Sequence, residues 1–183
     1  MTAPLETEIR TERLLLRPLF ESDAPAIQHL AGDARVARFT SNIPHPYPYG
    51  AAESFIAETL EKQARGEVRT FAITLADEPR ALIGMIGLID RDDSVEMGYW
   101  LGVPNWGKGL TSEAASAVVA HGRNWRPQAK IVARTFPDNF ASQRVLEKAG
   151  FRRNGTRICE APARDCGQVE NAPRFVFEPA EAA

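Results

Sequence analysis

Short stretches of alternating or continuous apolar residues predict strands along most of the chain. They cover residues 14–19, 68–75, 81–89, 95–101, 130–135 and 174–177. The second, third and fourth are separated only by short polar turns, which favours antiparallel hairpins. The stretch at 130–135 follows a helical segment, so we expect it to pair in parallel with its neighbour.

Apolar positions spaced three or four residues apart predict helices over 24–31, 35–39, 51–64, 110–124 and 139–149. Asp23 and Pro25 are typical of a helix start, and Gly150 followed by Phe151 is typical of a helix end. Three prolines within residues 42–50 exclude helix and strand, which predicts an exposed loop.

Length and composition indicate one domain over residues 1–183, with a frayed tail at 179–183. The apolar fraction of 44% is enough for a core, and a net charge of −2 gives no electrostatic argument for nucleic acid. We expect no membrane span and a reduced, cytoplasmic setting, since the polar, acidic start is unlike a secretory signal. Cys159 and Cys166 have no zinc-like spacing, so we expect inert thiols and no metal.

Six residues between the strand at 95–101 and the helix at 110–124 carry the candidate chemistry: Trp106, Gly107, Lys108, Gly109, Leu110 and Thr111. Glycine permits a positive φ and a close approach by a ligand. The first N–H groups of a helix have no internal partner, and the helix dipole adds partial positive charge there. This arrangement predicts a backbone cradle for a phosphate group.

Two familiar nucleotide-binding loops fit the segment incompletely. Gly102, Gly107 and Lys108 match a P-loop, but Gly109 stands where a hydroxyl should hold Mg²⁺. Gly107 and Gly109 begin a dinucleotide fingerprint, but Ser112 takes the third glycine's place. Both loops follow the first strand of a parallel unit, whereas this segment lies past the middle of the chain.

Three sequence blocks, in this order, resemble the GNAT acetyltransferases, in the branch that includes the ribosomal-protein N-terminal (RimJ/RimL-type) enzymes. The blocks are TERLLLRP at 11–18, the strand and loop at 95–114, and NFASQRVLEKAGF at 139–151. The loop fits the acyl-CoA pattern [QR]-x-x-G-x-[GA], except that Pro104 takes the first position. The resemblance covers roughly residues 11–151, and the sequence after Phe151 matches poorly.

The resemblance implies an α+β sandwich: a mixed, mostly antiparallel central sheet with helices on both faces and a parallel strand pair that splays apart. It also implies that acetyl-CoA binds at this opening. The pantetheine arm would pair with backbone near Leu101 and Val103, and the pyrophosphate would meet the N–H groups of Trp106, Gly107, Lys108, Gly109, Leu110 and Thr111. Asn139 and Arg144 would add contacts to the pantetheine arm and to a CoA phosphate.

Glu96 and Ser142 are the candidate catalytic residues. Strand alternation places Glu96 on the face opposite Met97 and Tyr99, and a carboxylate in an apolar strand is costly unless it is paired or used. It is therefore either a general base or half of a structural ion pair. Ser142 shares a helix face with Asn139; the resemblance implies a general acid for the leaving thiolate, and the alternative is a small packing residue. His45 is a second candidate base or a surface histidine.

The predicted activity is transfer of an acetyl group to a primary amine, either a protein N-terminus or a small molecule, by direct attack in a ternary complex. The loop at 42–50 and the turn at 90–94 are expected walls of the acceptor site, where Asp92, Asp93 and Glu96 would attract a cationic amine. We expect a monomer or homodimer. A non-catalytic acyl-CoA-binding regulatory module, an NTP-binding protein and a structural protein that binds no cofactor are the alternatives.

Overall fold

Eight strands form one sheet in the part of the chain that the computed structural model describes, residues 8–164 and 167–178. The strands are β1 (Ile9–Arg10), β2 (Leu14–Arg17), β3 (Val68–Leu75), β4 (Leu82–Asp90), β5 (Ser94–Leu101), β6 (Lys130–Arg134), β7 (Arg152–Glu160) and β8 (Gln168–Phe177). The α-helices are α1 (Ala24–Ala31), α2 (Ala34–Ala37), α3 (Ala51–Ala64), α4 (Leu110–Trp125) and α5 (Phe140–Lys148).

The sheet is mixed, with the order β1-β2-β3-β4-β5-β6-β8-β7. Every neighbouring pair is antiparallel except β5 and β6, which are parallel. That parallel pairing covers only three positions, from Ser94 with Lys130 to Glu96 with Val132. Beyond them the two strands separate, so the predicted mixed sheet and its splayed parallel pair are confirmed.

Helices cover both faces of the sheet, as predicted. On one face α4 and α5 pack over a core that includes Val95, Met97 and the partly buried Tyr99. On the other, α1 and α3 pack over a smaller core against which Trp100 lies. The alternation expected along β5 is therefore present, and it sends Glu96 and Gly98 to the face of α1 and α3.

Three strands differ from the sequence-based prediction. β1 and β7 were not predicted, and β8 begins at Gln168 rather than at residue 174. β7 is an edge strand whose residues are almost all exposed, so its sequence has no apolar alternation. The other predicted helices and strands are found within about two residues of their expected ends. The expected tail at 179–183 and Cys166 lie outside the described residues.

A buried ion pair ties β2 to the segment before α1. Arg17 and Asp23 are each 3% exposed, and two Arg17 nitrogens donate to the Asp23 carboxylate at 2.8 and 2.9 Å. Arg17 Nε also donates to the carbonyl of Pro79 in the turn between β3 and β4, at 2.8 Å. The pair thus joins three segments, and removal of either partner would leave a buried charge without compensation.

Candidate active site

The loop before α4 has the backbone conformation that its glycines predict. Gly107 and Gly109 both have φ of 76°, and Gly109 is the N-cap of α4. The N–H groups of residues 107–112 have no hydrogen-bond acceptor among the described residues, whereas the Trp106 N–H, one of the six expected donors, already donates to the Val103 carbonyl at 3.1 Å. A Cβ on Gly107 would meet nothing within 4 Å. The loop therefore exposes a run of backbone donors at the N-terminus of α4, which suits a phosphate.

Side chains of the loop support it from within. The Trp106 indole donates to the carbonyl of Leu101 at 2.6 Å, so this ring spans the loop back to the end of β5. Leu110 is 4% exposed and belongs to the core, which leaves only its backbone N–H for a ligand. The Lys108 ammonium is exposed and lies 3.4 Å from Asn105 Oδ1.

A polar clamp links the first sequence block to this loop. The Glu113 carboxylate on α4 accepts from Thr11 Oγ1 at 2.6 Å, from the Arg13 N–H at 2.8 Å and from Arg13 Nε at 2.7 Å. Arg13 Nη1 in turn donates to the carbonyl of Lys108 at 2.9 Å. Burial acts to raise the pKa of Glu113, but the hydrogen bonds from Thr11 and Arg13 outweigh it and lower that pKa. Through Arg13, the clamp holds the Lys108 carbonyl away from the loop surface on which the N–H groups of residues 107–112 are free.

The opening between β5 and β6 has a hydroxyl pair on the side of α5. The Tyr99 and Ser142 hydroxyl oxygens are 2.8 Å apart, and the Tyr99 O–H also donates to the Ser142 carbonyl at 3.2 Å. Asn139 Oδ1 accepts from the Ser142 N–H at 3.0 Å, so Asn139 is the helix cap that its sequence position predicts. Burial raises the pKa of Tyr99 well above its ordinary value.

Sequence reasoning gave Tyr99 no role, although it did place the residue on this face. The usable signal was the alternation along β5, which points Tyr99 toward the helices of the third sequence block. Arg144 lies on the exposed surface of α5, one turn beyond Phe140, and has no polar partner among the described residues.

Glu96 lies on the other face of β5 and is held by two arginines. Its Oε2 accepts from Arg91 at 3.0 and 3.1 Å, its Oε1 accepts from Arg134, and its side chain is 18% exposed. The ion pair that was one of the two sequence-based interpretations is therefore present. Because both oxygens are engaged, Glu96 does not present the negative charge that we expected to attract a cationic amine.

The face of β5 that carries Glu96 opens at Gly98, which is exposed and where a Cβ would meet nothing within 4 Å. Contacts from the segment after α2 join it to the residues that follow β6 and β7. The rings of Phe39 and Phe136 pack edge to face, with centroids 6.2 Å apart, and the carbonyl of Ser41 accepts from the Ala163 N–H at 3.0 Å. His45, in the predicted loop, lies 2.9 Å from the carbonyl of Gly32 through Nδ1.

The described residues show no metal site and no membrane-spanning helix. They contain no cluster of three or more His, Cys, Asp or Glu side chains placed to hold a metal ion. None of their helices has the length and hydropathy that a bilayer crossing requires. Cys159 is a free, partly buried thiol. The loop before α4 follows an antiparallel hairpin rather than the first strand of a parallel unit, which argues against a P-loop or dinucleotide site.

Known proteins share this architecture and sequence. The acetyltransferase (GNAT) domain family matches residues 13–152. The uncharacterized N-acetyltransferase YoaA of Bacillus subtilis is 31% identical over 161 residues, which cover 80% of this chain and 84% of YoaA. YnaD, another uncharacterized N-acetyltransferase of that organism, is 31% identical over 151 residues, 80% of this chain and 84% of its own.

Solved structures agree at the level of the fold. RimL, a ribosomal L7/L12 α-N-protein acetyltransferase in complex with coenzyme A, aligns with a TM-score of 0.78 and 18% identity over 96% of this chain and 99% of its own. Spermidine N-acetyltransferase from Vibrio cholerae, in complex with CoA and spermine, aligns with a TM-score of 0.75 and 18% identity over 93% and 98%. On the family match and the sequence relatives, this chain belongs to the GNAT acetyltransferases.

Proposed function

We propose that this protein transfers the acetyl group of acetyl-CoA to a primary amine by direct attack in a ternary complex. Two features beside the opening between β5 and β6 carry the proposal. The free N–H groups of residues 107–112 lie in the loop that follows β5, and the Tyr99–Ser142 hydroxyl pair joins the end of β5 to α5. A phosphate-bearing ligand with a reactive thioester at its other end fits both.

Acetyl-CoA fits this opening as a substrate that supplies an activated acetyl group. Its pyrophosphate would bind the N–H groups of residues 107–112, with Lys108 and Arg144 free to reach phosphate. The pantetheine arm would lie along the unpaired edge of β5, near Leu101, Val103 and Asn139. The Leu101 carbonyl already accepts from Trp106, so we assign the neighbouring backbone N–H groups the larger share of that pairing.

The proton balance needs little from the protein. The amine loses one proton as the new amide forms, and the CoA sulfur gains one as it leaves. A thiol has an ordinary pKa of about 8.5, below that of Tyr99, which keeps its own proton at neutral pH. The leaving sulfur therefore takes its proton from solvent, and we assign Ser142, whose Oγ would accept from Tyr99, the role of donating a hydrogen bond to that sulfur.

An α-amine is the acceptor that best fits a site whose candidate base is already paired. With a pKa of about 7.8 an α-amine is roughly one-third neutral at pH 7.5, whereas deprotonating a lysine side chain there costs about 4 kcal/mol. Each Glu96 oxygen already accepts from an arginine, so Glu96 could reach an amine proton only through its remaining lone pairs. In this proposal Glu96 orients those arginines, and the amine arrives neutral from solvent.

Release of free thiol, followed with acetyl-CoA and a panel of primary amines, tests this proposal. We expect turnover whose kcat/KM rises with pH along the titration of the acceptor amine. Ser142→Ala should lower kcat and leave the affinity for acetyl-CoA nearly unchanged, with Ser116→Ala on the exposed surface of α4 as the control. Tight binding of acetyl-CoA without thiol release for any amine would favour the regulatory module instead.

A further inference from the structure

The sheet face that carries Glu96 continues onto β6 and β8 as a row of arginines. Arg134 and Arg174 are direct register partners across these antiparallel strands, so both side chains project from the same face. Ala133 precedes Arg134 and Phe175 follows Arg174, and both belong to the core beneath α4 and α5. The two arginine side chains therefore project from the other face of the sheet. Arg91 reaches the same carboxylate as Arg134 from the turn before β5.

The charges in this row do not balance. Arg91 and Arg134 share one carboxylate, that of Glu96. Arg174 is partly buried and has no ion-pair or hydrogen-bond partner among the described residues. Like charges directly opposite each other on a sheet destabilise it. Three guanidinium groups against one carboxylate therefore leave an excess of positive charge that an anionic ligand would neutralise.

The row lies beside the opening where the amine must arrive. Glu96 is level with Val132 in the parallel pairing, so two residues further along Gly98 and Arg134 are level on opposite sides of the gap. Gly98 has no side chain and open space above it. An acceptor seated over Gly98 would thus place its amine in the gap and its neighbouring groups within reach of the arginines.

We propose that Arg174, together with Arg134, binds a carboxylate of the acceptor. The acceptor is then a primary amine with a carboxylate close to the reacting nitrogen, in an acidic peptide N-terminus or in a free amino acid. A guanidinium binds a carboxylate through two parallel hydrogen bonds, which gives both energy and orientation. A polyamine, which carries only positive charge, is disfavoured. This inference rests on the proposed acetyl transfer, because it names the acceptor of that reaction.

Two matched peptide amides test the assignment. One has serine followed by glutamate, and the other has serine followed by glutamine; free aspartate and spermidine complete the set. Binding to the CoA-saturated protein is measured by calorimetry, and kcat/KM by thiol release. We expect the glutamate peptide to bind at least about tenfold more tightly than the glutamine peptide, with the preference falling as salt rises. Use of aspartate alone would assign the site to a free amino acid.

Arg174→Gln should abolish this preference, and Arg174→Lys should retain part of it. Arg123→Gln, an exposed arginine in the last turn of α4 on the other side of the sheet, should leave it unchanged. Equal binding of the two peptides, binding of neither the peptides nor aspartate, a preference that survives Arg174→Gln, or better use of spermidine would each overturn the inference. Preferential binding without any thiol release would instead refute the proposed transfer and leave the carboxylate site standing.

Discussion

Replacement of Glu113 by glutamine should weaken both the fold and the binding of acetyl-CoA, because this carboxylate holds the clamp on the phosphate loop. Glutamine keeps the shape but loses the charge and presents an NH₂ group to donors. At least one of the contacts from Thr11 and Arg13 must then be lost. A hydrogen bond to a charged group contributes about 1.5–3 kcal/mol.

Two features of the structure set the magnitude. The Arg13 side chain is 48% exposed, so solvent screens part of its share, and we expect a loss of about 2 kcal/mol in the free energy of unfolding. For a domain of this size that loss lowers Tm by about 4–8 °C. Without the clamp, at least one loop residue must be ordered when the ligand binds, at a cost of about 1–2 kcal/mol, which is roughly a tenfold loss of acetyl-CoA affinity.

Thermal denaturation and calorimetric titration with acetyl-CoA measure the two effects. Glu147→Gln, an exposed residue of α5, is the matched control and should change neither. Arg13→Lys keeps the positive charge but cannot bridge Glu113 and the Lys108 carbonyl with a planar fork, so it should lose affinity as well.

The pH dependence supplies an independent check. Since the pKa of Glu113 is lowered in the folded protein, its contribution to stability is fully present above the unfolded pKa and disappears as the pH falls through the folded one. The difference in Tm between the wild type and Glu113→Gln should therefore shrink in acid. A variant that melts with the wild type and binds acetyl-CoA equally well would refute the clamp.

Three further changes have definite expected outcomes. Gly109→Ala should weaken acetyl-CoA binding several-fold in calorimetry, because a left-handed residue other than glycine costs about 1 kcal/mol or more. Gly66→Ala, with φ of 79° and no atom within 4 Å of the added Cβ, should lose comparable stability but no affinity. Tyr99→Phe should lower kcat by less than Ser142→Ala does, since it removes only the group that orients the serine; equal kcat in both variants and the wild type would contradict their role. Arg17→Gln should destabilise the fold by about 3–5 kcal/mol in urea denaturation, and a loss below about 1 kcal/mol would contradict the buried pair.

Local patterns were sufficient to predict most of the fold and the backbone conformation of the loop before α4. Positive φ at Gly107 and Gly109 follows from the residue type and from the strand and helix on either side. The faces of β5 follow from its period of two, which placed Glu96 and Tyr99 on opposite sides of the sheet. Such features depend only on residues a few positions apart along the chain, so they can be predicted from the sequence.

The partners of the site residues are far from them along the sequence, so local patterns could not identify these contacts. Glu113 meets Arg13 across 100 residues, and Glu96 meets Arg134 across 38. The ion pair of Glu96 could not be identified from the sequence because Arg134 lies on a strand whose register could not be predicted. β7 was missed for a related reason: an exposed edge strand is stabilised by its backbone pairing with β8, and its side chains carry no apolar pattern.

Calorimetric titration of the purified protein with acetyl-CoA, alongside Mg-ATP, shows whether the loop before α4 binds an acyl-CoA. We predict micromolar binding of acetyl-CoA, no comparable binding of Mg-ATP, and marked weakening in Gly109→Glu, which places a side chain and a negative charge at this loop. Absence of acetyl-CoA binding, or binding of Mg-ATP in its place, would contradict the assignment of the loop and the acetyl transfer that depends on it.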